Sequence, residues 1–122
     1  IAGKIRKNKR AWLYKFYLDC FSKSDFEGRS YFKKELLKDY VDGIGLEELV
    51  NGLGYLSKAK IDTMVLTRIK NIRIFHGESD AVAPVEEARR ISSRLPQTEF
   101  IPLPNLGHII FLNKRFKAAF YG

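Results

Sequence analysis

The chain has 122 residues, of which 45% are hydrophobic and 13% aromatic, and this composition predicts one folded domain rather than a disordered segment. Its net charge of +8 favours acidic partners, whether protein, nucleic acid or an anionic membrane surface. No apolar run approaches the about 20 residues of a transmembrane helix, and the opening Ile1–Arg10 lacks the apolar core of a signal peptide. The single cysteine, Cys20, excludes an internal disulfide and indicates a reducing, cytoplasmic compartment.

The first half of the chain carries three helical patterns. Residues 9–21 place apolar side chains at helical spacing over one wide face. Ser30 is placed to cap a second helix, which Asp42-Gly43 would end. A third helix is predicted from about Leu46 to Leu56. This half is therefore expected to contain helices alone.

Basic side chains are concentrated at the start of the chain, where the first 18 positions contain no acidic residue. Such a surface attracts acidic partners, although the alternative interpretation is an ordinary solvated helix face. Five of these side chains are predicted to bind a partner and are called here the N-terminal basic patch: Arg6, Lys7, Lys9, Arg10 and Lys15.

The second half changes period and predicts a β-α-β-α order. Ile72 to Phe75 is a short β-branched and aromatic run that indicates a buried strand. Pro84 opens a helix with acidic residues in its first turn and arginines in its later turns, as the helix dipole favours. Phe100 to Leu103 forms the next strand, and residues 111–121 form a final helix. Two strands joined by one crossover helix are expected to be parallel.

Two side chains with catalytic potential follow these strands. Asp80 comes after the first strand and His108 after the second, so both should reach the same edge of the sheet, within hydrogen-bond distance of each other. His108 could act as a general base, since the ordinary pKa of histidine is about 6.5, and Asp80 could orient its ring. The other histidine, His76, is interpreted as structural.

The motif Gly77-x-x-Asp80 with Pro84, followed by Gly107-His108, resembles the C-terminal part of the α/β-hydrolases. The resemblance implies that Asp80 and His108 are the acid and histidine of a Ser-His-Asp triad. It also implies that residues 1–62 form a helical lid and residues 63–122 the C-terminal part of the core. A Gly-x-Ser-x-Gly nucleophile motif is absent from the chain, so the chain alone is expected to be inactive.

More narrowly, the chain is similar to the biotin-pathway esterases that cleave pimeloyl-acyl-carrier-protein methyl ester. This similarity implies a carboxylic ester hydrolase acting on an acyl ester, with an acidic acyl-carrier protein as a partner for the basic patch. The sequence has no Cys/His cluster with metal-ligand spacing and no Gly-rich phosphate loop, so neither a metal nor a cofactor is expected. It also lacks a groove-reading motif, and the enzyme hypothesis has neither nucleic acid nor membrane as a partner.

Two alternatives remain open at this stage. One is a basic helical module that contacts an acidic protein, nucleic acid or a membrane surface, and the other is a non-catalytic relative of the hydrolases. The enzyme hypothesis requires more strands than this chain supplies. Two parallel strands are too few to bury both faces of a sheet, and each of them leaves one edge unpaired. Since the chain also begins at Ile1 rather than methionine, we expect a missing N-terminal half, or a second chain, to complete the sheet.

Overall fold

The structure is a computed structural model that describes residues 2–122, and it has a helical first half and an α/β second half. The helices are α1 (Ala2–Lys7), α2 (Lys9–Asp19), α3 (Phe26–Tyr31), α4 (Leu37–Gly43), α5 (Leu46–Lys58), α6 (Thr63–Leu66), α7 (Val85–Ser93) and α8 (Lys114–Tyr121), with a π-helical turn at Phe32–Leu36 between α3 and α4. The strands are β1 (Ile72–Gly77) and β2 (Thr98–Leu103). Among these described helices, none combines the length and the apolar content that crossing a membrane requires.

The second helical pattern begins earlier than its sequence suggests. Asp25 caps α3 by accepting a hydrogen bond at 2.9 Å from the backbone N–H of Gly28, so the helix starts at Phe26. The prediction that Ser30 caps this helix is therefore wrong, and Ser30 lies inside α3. An aspartate whose carboxylate accepts a hydrogen bond from the backbone N–H three residues later is a strong N-cap. Because Asp25 already starts the helix, the later Ser30 falls inside it. The predicted end of this helical run at Gly43 is confirmed.

The helical half packs around an aromatic cluster. Phe32 is 1% exposed, and its ring centroid lies 5.4–5.5 Å from those of Tyr17, Phe21 and Tyr40. Tilted and edge-on ring pairs at such distances add to the stability gained by burying the apolar area. Within the described part of the chain, the buried residues of this core are Ile5, Leu13, Cys20, Phe21, Phe32, Leu37, Val41 and Leu49. Burial raises the pKa of the Cys20 thiol to about 11, so this cysteine stays a neutral thiol that packs in the core.

The two strands form a parallel pair with α7 as the crossover. Ile72 pairs with Thr98 at one end and Gly77 with Leu103 at the other, so each strand is two residues longer than predicted. The predicted fold class, a partial α/β fold with helices followed by a β-α-β-α unit, is confirmed. The sheet contains two strands within residues 2–122, and the expectation that further strands complete it remains a prediction.

Arg73 explains how a charged residue fits into β1. Its side chain is exposed, and its guanidinium donates hydrogen bonds at 2.9 Å to the backbone carbonyls of Ala119 and Phe120. The same guanidinium lies 4.8 Å from the ring centroid of Phe75. A cation is favourable at the carbonyl end of a helix and over an aromatic face. Arg73 therefore fastens the C-terminus of α8 against the sheet.

Candidate active site

Asp80 and His108 meet beyond the carboxyl ends of the two parallel strands. His108 Nδ1 lies 2.9 Å from Asp80 Oδ2. The Asp80 side chain is only 3% exposed, whereas that of His108 is 41% exposed. The structure thus brings together the two side chains that the sequence placed at one sheet edge. A buried carboxylate beside a ring nitrogen of a partly exposed histidine is the arrangement that orients a catalytic imidazole.

A tight turn fixes the carboxylate of Asp80. Its Oδ1 accepts hydrogen bonds from the backbone N–H groups of Val82, at 2.8 Å, and Ala83, at 2.9 Å. An aspartate that binds the backbone two and three residues ahead stabilises the turn it sits in. With Oδ1 occupied in this way, Oδ2 is directed toward His108.

The segment between β2 and α8, residues 104–113, is called here the histidine loop, and Gly107 lets it approach the end of α2. A Cβ at this position would lie 2.7 Å from the carbonyl oxygen of Cys20 and 2.8 Å from the backbone nitrogen of Ser22. The same Cys20 carbonyl accepts hydrogen bonds from the backbone N–H groups of His108, at 2.7 Å, and Ile109, at 3.0 Å. No glycine among residues 2–122 has a positive φ, so Gly107 is needed for close approach rather than for a left-handed turn.

Backbone hydrogen bonds also join the histidine loop to the turn that carries Asp80, residues 78–83, which is called here the acid turn. The backbone N–H of Ser79 donates to the carbonyl of Leu106 at 2.9 Å, and that of Glu78 donates to the carbonyl of Leu103 at 3.0 Å. A Cβ on Gly77 would collide with the carbonyl oxygens of Leu106 and Gly107. The backbone itself therefore sets the separation of the two loops.

Further contacts attach the helical half to the histidine loop. Asp25 is 1% exposed and accepts a hydrogen bond at 2.9 Å from the side-chain amide of Asn113, which is 5% exposed. Glu27 accepts from the backbone N–H of Lys114 at 2.8 Å. The segments predicted as lid, 1–62, and core, 63–122, thus share buried contacts, while the boundary between them stays a prediction.

His76 contacts the acid turn, which sequence reasoning did not foresee. Its Nε2 lies 2.8 Å from the carbonyl oxygen of Ala83 and 3.2 Å from Asp80 Oδ2. The only sequence signal is its position at a strand end, four residues before the aspartate. Glu78, by contrast, faces solvent, with its side chain 41% exposed.

A cleft of about 720 Å³ lies beside the acid turn. Its lining combines apolar residues with polar and charged ones: Phe16, Asp19, Phe21, Ser22, Lys23, Ser24, Ser79, Ala81 and Val82. A concave surface that offers both apolar area and polar groups can bind a small molecule. Within residues 2–122 no group of three or more His, Cys, Asp or Glu side chains is placed to hold a metal ion.

The N-terminal basic patch is partly occupied by contacts within the chain. Arg6 pairs with Glu47 at 2.6 Å, Arg10 pairs with Asp42, and Lys9 Nζ donates to the carbonyl of Ile44 at 2.5 Å. These contacts tie α1 to α5, and they tie α2 to α4 and to the loop between α4 and α5. Two patch residues, Lys7 and Lys15, are exposed with no carboxylate within 4 Å among the described residues. The structure therefore gives three of the five predicted binding residues an intramolecular role.

The Arg6–Glu47 pair predicts a small dependence of stability on pH. The hydrogen bond from Arg6, and then its charge, hold the pKa of Glu47 below the usual 4.5. The resulting stabilisation is complete above that value and is lost as the pH falls through the lower pKa of the folded state. Denaturant melts between about pH 7 and pH 3 should show Arg6→Gln to be less sensitive to acid than the wild type. Lys7→Gln, the matched control, should follow the wild type, and equal behaviour of the two variants would contradict this role for Arg6.

Comparison with known proteins supports the fold. No family model matches the chain, and no curated protein matches it. A solved structure of a thermophilic esterase from Thermogutta terrifontis, determined with malate bound, has a TM-score of 0.60 and 17% sequence identity to it. The alignment covers 98% of this chain and 44% of that esterase, so the chain spans less than half of that protein's length. The chain thus has a partial α/β fold similar to part of this esterase.

Proposed function

We propose that this chain supplies the acid and the histidine of a serine-dependent carboxylic ester hydrolase. The observation that carries the proposal is the 2.9 Å contact between His108 Nδ1 and buried Asp80 Oδ2 at the carboxyl ends of the strands. The other ring nitrogen, Nε2, has no hydrogen-bond partner within residues 2–122. It is thus able to accept a proton from a nucleophile. The resemblance of the fold to an esterase supports the same reaction class.

The reaction requires a serine hydroxyl from outside this chain, as well as further strands that complete the sheet. We call the assembly of this chain with the missing N-terminal half, or with a second chain that supplies these parts, the completed enzyme. Two features support its existence: the two-stranded sheet leaves both outer edges unpaired in residues 2–122, and the chain matches 44% of the esterase.

In the completed enzyme, the serine oxygen attacks the ester carbonyl carbon while its proton moves to His108 Nε2. Asp80 stabilises the imidazolium that forms, through the contact at Nδ1. When the tetrahedral intermediate collapses, the bond from carbon to the alcohol oxygen breaks, and Nε2 returns its proton to that oxygen. Water then attacks the acyl-serine with the same proton transfers, which releases the acid and restores the serine.

The proposed substrate is an acyl ester whose apolar part occupies the cleft beside the acid turn. Phe16, Phe21 and Val82 supply apolar surface there. The narrower proposal, a methyl ester carried by an acidic acyl-carrier protein in biotin synthesis, follows from the sequence resemblance and the net charge of +8. Of the N-terminal basic patch, Lys7 and Lys15 are exposed and have no carboxylate within 4 Å among residues 2–122, so their charges are available to such a carrier.

Replacing Asp80 by asparagine tests the proposal. In the completed enzyme, Asp80→Asn should lower kcat on a small nitrophenyl ester by about 10⁴-fold, because an amide favours the wrong tautomer of the histidine. Glu78→Gln is the matched control, since Glu78 lies in the same turn but is 41% exposed. That variant should retain wild-type kcat. Similar rates for Asp80→Asn and the wild type would refute the assignment of Asp80.

A further inference from the structure

His76 approaches the acid turn from the end of β1. Its Nε2 lies 2.8 Å from the carbonyl oxygen of Ala83 and 3.2 Å from Asp80 Oδ2. Because a carbonyl oxygen can only accept, the hydrogen bond to Ala83 requires a proton on Nε2. The His76 side chain is 17% exposed, so this contact is largely sheltered from water.

Ala83 connects this histidine to the carboxylate of Asp80. The carbonyl of Ala83 accepts from His76, and its N–H donates to Asp80 Oδ1 at 2.9 Å. His76 at the end of β1 therefore anchors the peptide carbonyl of Ala83, and the N–H of Ala83 fixes Oδ1 of Asp80. The proton on His76 Nε2 also lies beside Asp80 Oδ2, the oxygen that contacts His108.

We propose that His76 is a positioning residue for the acid, which acts through the turn and touches neither substrate nor the reacting atoms. This proposal rests on the proposed function, in which Asp80 orients His108. Without the bond to Ala83, the turn loses its side-chain attachment to β1, and Asp80 Oδ2 can move away from His108 Nδ1. A displacement of about 1 Å in such a site can cost about 100-fold in rate.

Two variants of His76 separate its hydrogen bond from its bulk. His76→Gln keeps an N–H donor that can reach the Ala83 carbonyl, whereas His76→Phe keeps a planar ring without a donor. In the completed enzyme, His76→Phe should lower kcat on a nitrophenyl ester by about 10- to 100-fold with little change in KM. His76→Gln should recover most of the lost activity. His108→Ala is measured alongside as the test of the proposed function.

Proton NMR of the same proteins gives a readout that does not depend on turnover. The Nδ1 proton of His108 should give a resolved, strongly downfield signal in the wild type and in His76→Gln. The signal should broaden or shift in His76→Phe. An unchanged signal and unchanged kcat in His76→Phe, or equal losses in both His76 variants, would overturn the proposal. If instead His108→Ala stays active, the proposed function fails, and the NMR signal alone then decides whether His76 positions Asp80.

Discussion

Replacing His108 by alanine in the completed enzyme is expected to lower kcat by about 10⁴- to 10⁶-fold. The imidazole is the group that takes the serine proton and returns it to the leaving alcohol, and Nδ1 is already held by Asp80 at 2.9 Å. Because the His108 side chain is 41% exposed, its removal should leave the fold intact. Steady-state kinetics on a small nitrophenyl ester, with a thermal melt of each protein, measure both effects.

Lys117→Ala serves as the control for this variant, since Lys117 is an exposed residue of α8 outside the candidate active site. It should match the wild type in kcat and in melting temperature. If His108→Ala retained turnover within an order of magnitude of the control, His108 could not be the general base, and the hydrolase proposal would be wrong for this chain.

Replacing Gly77 by alanine is expected to give the largest loss of stability among single substitutions at the site. The new methyl group would collide with the carbonyl oxygens of Leu106 and Gly107. Rigid backbone atoms cannot yield as a flexible side chain does, so we expect a loss of about 3 kcal/mol or more in the free energy of unfolding. To relieve the collision, the backbone at Leu106 and Gly107 must move, which should carry His108 away from Asp80 and lower activity.

Gly52→Ala is the matched control, because it adds the same methyl group to a different glycine. Gly52 lies inside α5, and a Cβ there has no neighbouring atom within 4 Å. Alanine in a helix interior is favoured over glycine by about 0.5–1 kcal/mol, so this variant should be slightly more stable than the wild type. Urea unfolding of both variants checks the pair. A loss in Gly77→Ala no greater than that of an ordinary surface substitution would show that the two loops can move apart.

The positions of Asp80 and His108 could be predicted from sequence because the topology alone fixes them. A strand, a crossover helix and a second parallel strand bring both carboxyl ends to one edge, whatever the details of packing. The start of α3 was predicted less well, because Asp25 and Ser30 are both capping residues and only the fold shows that Asp25 meets Gly28.

Contacts between distant parts of the chain were beyond sequence reasoning. Arg6 and Glu47 are 41 residues apart, and Arg10 and Asp42 are 32 apart, so their pairing depends on how the helices pack. The need for glycine at position 107 could not be predicted either, since the neighbouring residues Cys20 and Ser22 come from the other half of the chain. The contact of His76 with Asp80 depends on the backbone conformation of the turn between them, which the local sequence pattern does not define.

Labelling of the completed enzyme with a fluorophosphonate probe tests the central claim most directly, because this probe reacts with a serine that an adjacent general base activates. We predict one labelled serine, outside residues 1–122, in the wild type and in Glu78→Gln. Labelling should fall sharply in both Asp80→Asn and His108→Ala. Labelling that is absent from the wild type, or that proceeds at the wild-type rate without His108, would contradict the claim that this chain carries the acid and the base of a serine hydrolase.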